Sequence, residues 1–159
     1  MTAWFGEDEE TMRVYVDADA CPVKDEVMRV ALRHGLPIVF IGNSWMRGFD
    51  DPLVEQVVAA EGLNEADDRI VERILPGDIV VTADIPLAAR CLEKGARGID
   101  PRGKHFDEDS IGMAVAVRDL MTDLRDSGAI TGGPSSYSKQ DRSRFLDSLE
   151  RLIQAMMRK

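Results

Sequence analysis

Between residues 12 and 100 the chain alternates short apolar, β-rich runs with amphipathic helical stretches, and few folds accept that order. The runs are MRVYVD (12–17), PIVFIGN (37–43), LVEQVVAA (53–60), DIVVTAD (78–84) and ARGID (96–100). Between the first two, residues 23–34 place Val23, Val27, Val30 and Ala31 at helical spacing, with charged residues opposite. Pro22 suits the first helical position and Gly35 the exit. Residues 65–75 and 85–94 read as further helices, stopped by Pro76-Gly77 and Gly95. The second and third runs are joined by a loop, SWMRGFDDP (44–52). After PRGKHF come two long helical stretches, 109–127 and 139–157. The second carries Phe145, Leu149, Leu152, Ile153 and Met156 on one stripe.

This order implies a three-layer α/β fold: a mostly parallel sheet of about five short strands flanked by helices, with two C-terminal helices. Residues 12–159 form a single domain, and the acidic residues 1–11 read as a flexible extension. In such a sheet, ligands sit beyond the carboxyl ends of the strands. That rule turns attention to the acids. Asp17 and Asp19, in VYVDADACP, come where the first strand ends, and Asp84 where VVTAD ends. Asp67 projects from the first turn of the 65–75 helix, near the middle of the stripe made by Ala66, Ile70, Val71, Ile74 and Leu75.

Each acid also has a local explanation. Asp19 could serve the turn before the following helix, Asp84 could cap the helix at Ile85-Pro86, and Asp67 could favour its helix dipole. Asp17 has no cap to make. Converging carboxylates repel unless a cation holds them, and oxygen ligands without His or Cys select Mg²⁺ or Mn²⁺. Asp17, Asp19, Asp67 and Asp84 are the expected ligands, with Asp17, Asp67 and Asp84 catalytic. The chemistry such a site most often performs is phosphoryl transfer to water.

Around that cluster Asn43 and Ser44, ending the second strand, are candidate substrate contacts, as are Arg102 after the fifth strand and Lys24. Trp45, Met46 and Phe49 make an apolar loop tip suited to base stacking or to a homodimer contact. Cys21 and Cys91 are too few for a disulfide framework and fit a reducing compartment, so a cytoplasmic location is expected. His34 and His105 are the only histidines, which argues against zinc. A net charge of −9 excludes a protein whose whole surface attracts nucleic acid, though not one that reaches phosphates through cations. No run approaches the ~18 apolar residues of a membrane span, and MTAWFGEDEE lacks the features of a signal peptide.

DADACP (17–22), AD (66–67) before IV (70–71), GDIVVTADIPLA (77–88), PRG (101–103), RDLM (118–121), TGGP (131–134) and DRSRF (141–145) together resemble the YaiI/YqxD family of uncharacterised bacterial proteins. That family is grouped with PIN-like domains, and the resemblance implies a PIN-like domain over 12–159. The established PIN-like members are metal-dependent ribonucleases, so an Mg²⁺- or Mn²⁺-dependent nuclease acting on RNA is implied. By that analogy Thr82, in Thr82-Ala83-Asp84, orients an aspartate or a water, and it joins the candidate substrate contacts. The chain departs from those nucleases in having Asp rather than Glu at position 67, an extra Asp19, and a C-terminal half with motifs of its own. Two other readings compete. One is a haloacid-dehalogenase-like phosphatase with Asp17 as nucleophile and Asp19 as general acid. The other is a non-catalytic metal- or RNA-binding regulatory module. TGGP reads as a helix connection or an anion cradle, and Ser138 with Asp141 as a capping box.

Overall fold

The structure, a computed structural model, describes residues 12–60, 65–126 and 137–157. The expected N-terminal extension and the TGGP motif lie outside those residues. The elements are β1 (Val14–Asp17), a 3₁₀ turn (Ala18–Ala20), α1 (Lys24–Arg33), β2 (Ile38–Gly42), β3 (Val54–Val58), α2 (Glu65–Arg73), β4 (Ile79–Val81), α3 (Ile85–Glu93), β5 (Arg97–Ile99), β6 (His105–Phe106), α4 (Glu108–Asp126) and α5 (Lys139–Met157). The five expected strands and five helices are all present. A sixth strand, β6, was not anticipated: it is two residues long and returns antiparallel to β5 through the Pro101–Lys104 turn. Two residues carry no readable alternation, which is why the pattern was silent. Helix α1 also starts later than Pro22 suggests. Val23 is its N-cap, because the 3₁₀ turn uses up residues 18–20 before the chain can enter a helix.

The strand order is β3-β2-β1-β4-β5-β6, with every pair parallel except β5–β6. The chain therefore steps outward from β1 in one direction to β3, then crosses back to place β4 on the other side of β1. The β1/β4 junction is the switch point, where two successive crossovers leave in opposite directions and open a crevice.

Strand alternation divides the core into two. Val14, Val16, Ile38, Phe40, Ile79, Val81 and Ile99 pack with Val27, Val30 and Ala31 of α1 and with Phe145, Leu149, Leu152 and Ile153 of α5. Tyr15, Val39, Ile41 and Val80 face the other way, onto Ala66 and Ile70 of α2 and Leu87 and Cys91 of α3. A side chain two residues beyond Tyr15 points to the α2/α3 layer. Asp17 is that residue.

The loop joining β2 to β3 corrects another expectation. Phe49 and Met46 pack against the α1-side core, and Phe49 meets Phe40 edge-to-face with centroids 5.1 Å apart. Gln56 braces the loop, accepting from Met46 N at 2.9 Å and donating to the Met46 carbonyl at 2.9 Å. Of the proposed apolar tip, Trp45 is the exposed member, at 68%. A tip of three exposed residues is not formed, because a parallel connection without a helix must cover the sheet with its own loop side chains.

Candidate functional site

At the switch point, neighbouring strands in the parallel register carry Asp17 and Thr82 next to each other: Val16 pairs with Val81, and each chain continues by one residue. Thr82 is fully buried and Asp17 nearly so, at 6% exposure. The Thr82 hydroxyl donates to Asp17 Oδ2 at 3.0 Å while its oxygen accepts from the Asp84 amide at 2.9 Å. Because the amide can only donate, the hydroxyl proton is left to Asp17. Thr82 thus fixes the rotamer of the Asp17 carboxylate.

Asp84 fills two roles at once. It is the N-cap of α3, accepting from Leu87 N at 3.1 Å through Oδ1, with Pro86 just inside the helix. Its carboxyl also stands against Asp67. Asp67, in the first turn of α2, has its pKa pushed up to about 6 from 3.8. Burial is the main cause, followed by the charges of Asp84 and then Asp17, with a hydrogen bond to the Asp84 carboxyl adding to them and Arg90 opposing. Burial likewise raises the Asp17 carboxyl, partly countered by the Thr82 hydrogen bond, while Asp84 and Asp19 push it further up and Lys24 pulls it down. Three carboxylates from β1, α2 and the β4–α3 turn therefore feel one another.

Asp19 turns elsewhere. Both its oxygens accept from the backbone amide of Asn43, at 3.0 and 2.9 Å, and it leans over Gly42. A Cβ on Gly42 would come within 2.7 Å of Asp19 Oδ1, so the approach depends on glycine. Asp19 clasps the end of β1 to the end of β2. It makes no cap hydrogen bond to α1.

The remaining candidates separate by position. Lys24, half-buried at the start of α1, is close enough to lower the proton affinity of Asp17. Asn43 and Ser44 are exposed at the β2 end of the same edge. Arg102 is tied to Asp141 of α5, Nε to Oδ2 at 3.4 Å, on the opposite face of the sheet from α2. Cys21 is buried, and that burial pushes its thiol up to about 12, which disfavours the thiolate. Sequence reading missed Arg90 on α3, which pairs with Asp68 at 3.0 Å and lies within electrostatic reach of Asp67. No spacing signals it, since its partners sit on a different helix.

The donor set is the kind a hard divalent cation takes: carboxylate oxygens, with no histidine or reactive thiol among them. As they stand, the side chains do not close on one point. Among the described residues, no group of three or more His, Cys, Asp or Glu could hold a metal ion. No helix among them is long and apolar enough to cross a membrane.

The raised pKa of Asp67 has a measurable consequence in metal-free protein. A native pKa above the unfolded one means that the native state binds the proton more tightly. The associated stability is complete below pH 3.8 and is lost as pH climbs through about 6. Asp67→Asn removes this loss. Urea midpoints compared across that window will show wild type falling relative to the variant as pH rises; parallel curves would show that Asp67 is not pushed up.

The comparisons with known proteins agree with one another. Residues 15–155 match the family described as "Uncharacterized BCR, YaiI/YqxD family". A UPF0178 protein of Rhodopseudomonas palustris strain HaA2 is 56% identical over 147 residues, covering 92% of this chain and 90% of that one. Another, from Rhodopseudomonas palustris strain CGA009, is 58% identical with 92% and 93% coverage. A third, from Parvibaculum lavamentivorans, is 58% identical over 146 residues, with 92% and 96% coverage. No solved structure matches.

Proposed function

The chain belongs to the YaiI/YqxD family of uncharacterised bacterial proteins, and from that premise we propose that it is a divalent-cation-dependent phosphodiesterase acting on RNA. The observation that carries the reading is the coupling of Asp17, Asp67 and Asp84 at the switch point, with Asp67 raised to about 6 by burial and by the other two. Such mutual repulsion costs stability in the absence of a counter-charge, and a bound cation would relieve it. The order of an acid ending β1, an acid in α2 and a T-x-D turn after β4 supports the same relationship to PIN-like ribonucleases that the motifs suggest.

Asp17, Asp67 and Asp84 would hold Mg²⁺ or Mn²⁺, which when bound supplies Lewis-acid stabilisation of phosphoryl oxygens and a nucleophile at neutral pH. The chain's own contributions are separable. Thr82 locks Asp17 in place. Asp67 and Asp84 would have to turn inward to hold the cation, Asp67 as the carboxylate. Lys24 places a positive charge beside Asp17, where a substrate phosphate would enter. Asp19 keeps the β2 end, with Asn43 and Ser44, fastened against the site.

The phosphatase reading fares worse. A general acid must reach the leaving group beside the nucleophile, and Asp19 is instead turned away from Asp17 onto the Asn43 amide. A crystal structure grown with Mn²⁺ tests the proposal. An anomalous peak between Asp17, Asp67 and Asp84 is expected, along with Mn²⁺-dependent RNA cleavage that stops in EDTA. Mn²⁺ bound only at other acids, or full cleavage in EDTA, would refute it.

A further inference from the structure

At the carboxyl edge of the sheet, Asp17, Asp67 and Asp84 gather on the α2/α3 side. On the α1/α5 side, Arg102 and Lys104 follow β5, and Lys139 and Arg144 open α5. Gly103 brings these two groups together: at φ 91° it lies so close to α5 that a Cβ would meet the Arg144 carbonyl at 2.8 Å and Ser148 Oγ at 2.9 Å. Tyr137 Oη, just before α5, donates to the Pro101 carbonyl at 2.6 Å, a second tie to the same loop.

Two acids lie among them, and Glu26 of α1 is paired with Arg142 at 3.0 Å. Asp100 accepts the amides of Arg102 and Lys104 at 2.9 and 2.8 Å. Asp141 accepts the Ser138 amide at 3.0 Å, and its own amide donates back to Ser138 Oγ at 3.1 Å. From that nearly buried position Asp141 also orients both Arg102 and Arg144, the latter at 3.2 Å. Arg144 remains 63% exposed, and with Lys139, Gln140 and Ser143 it lines an open groove of about 510 Å³. Set against Asp100 and Asp141, these four cations leave a local excess of positive charge in a chain of net charge −9.

We infer that Arg102, Lys104, Lys139 and Arg144 form a ledge that binds backbone phosphates of a single-stranded nucleic acid, beside the carboxylate cluster. The inference rests on the phosphodiesterase reading and adds the path of its substrate. β5 lies two strands from β1, about 10 Å at roughly 4.8 Å per strand, so one phosphate cannot meet both regions. A strand can. Its scissile phosphate would lie at Asp17 while a neighbouring stretch of backbone rests on the ledge.

Binding of a short fluorescein-labelled oligoribonucleotide, followed in EDTA across a salt series, tests this. Wild type should bind with strongly salt-dependent affinity. Lys139→Gln with Arg144→Gln should weaken binding about ten-fold and flatten the log–log salt slope by roughly 1.4, at 0.7 per phosphate contact. Arg144→Lys should keep most of the affinity. Lys104→Gln with Lys139→Gln, neither of which touches Asp141, should weaken binding too, which guards against a loss caused by misfolding. Unchanged affinity and slope in both double variants would overturn the ledge while leaving the phosphodiesterase reading intact. Failure of wild type to bind would also overturn it, and Mn²⁺-dependent hydrolysis of bis(4-nitrophenyl) phosphate would then show whether that reading survives.

Discussion

Asp17→Ala should lower Mn²⁺ affinity by at least about 100-fold, because even outer-shell partners of a metal site cost 10–100-fold and Asp17 is proposed to touch the ion. RNA cleavage should fall with it. The effect on stability is read in the variant that keeps the Thr82 hydrogen bond, Asp17→Asn. In the metal-free protein Asp17 is a buried carboxylate raised by burial and by its acidic neighbours, with one neutral hydroxyl as its hydrogen-bond donor. Asp17→Asn should therefore fold at least as well as wild type, since an amide oxygen can still accept from Thr82 while the repulsion on Asp67 and Asp84 is relieved. Calorimetric Mn²⁺ titration, paired with urea unfolding in EDTA, separates the two effects. Unaltered Mn²⁺ affinity in Asp17→Ala would remove the ion from this site. Severe destabilisation of Asp17→Asn would instead mark Asp17 as a structural group.

The second large effect is structural and falls on α5. Phe145→Ala should cost about 3–5 kcal/mol, the usual range for emptying a buried phenylalanine site. Phe145 is fully buried and shares its cluster with β1, β2, β4 and α1, so relaxation from any one element cannot fill the void. For a domain of this size, the melting temperature should fall by roughly 2–4 °C per kcal/mol. The loss should also reach function. Phe145 lies between Arg144 and the rest of the stripe, and α5 carries half the cationic ledge. A melting temperature within a degree or two of wild type would mean that α5 is not seated on the sheet.

These two residues also show how differently the sequence speaks. Phe145, with Leu149, Leu152 and Ile153, announces itself through helical spacing, and all four are buried. The Ser138–Asp141 capping box forms with both reciprocal hydrogen bonds, and Asp84 caps α3 as its place before Ile85-Pro86 suggested. Such features are local. Capping and amphipathicity are settled within a turn or two of chain, so a short window contains the physics that decides them.

Asp17 and Asp19 differ in the opposite way. Both end the same apolar run, and no pattern in VYVDADACP distinguishes them. The 3₁₀ turn at Ala18–Ala20 rotates the backbone between them. One carboxylate is left under the α2 layer against Thr82, and the other over Gly42.

The sequence by itself determined that strands and helices alternate, that parallel pairing must follow, and that the acids gather at the carboxyl edge. Hydrophobic periodicity states which face each element buries, and that information is carried residue by residue. Only the tertiary structure decided which acids meet. The order β3-β2-β1-β4-β5-β6 sets β4 beside β1, so Thr82 reaches Asp17 across 65 positions of chain. It also docks the loop after β5 against α5, with Gly103 close against the Arg144 carbonyl. Neighbour choice among equally apolar strands depends on how the whole core closes, and no stretch of sequence short enough to read locally contains that answer.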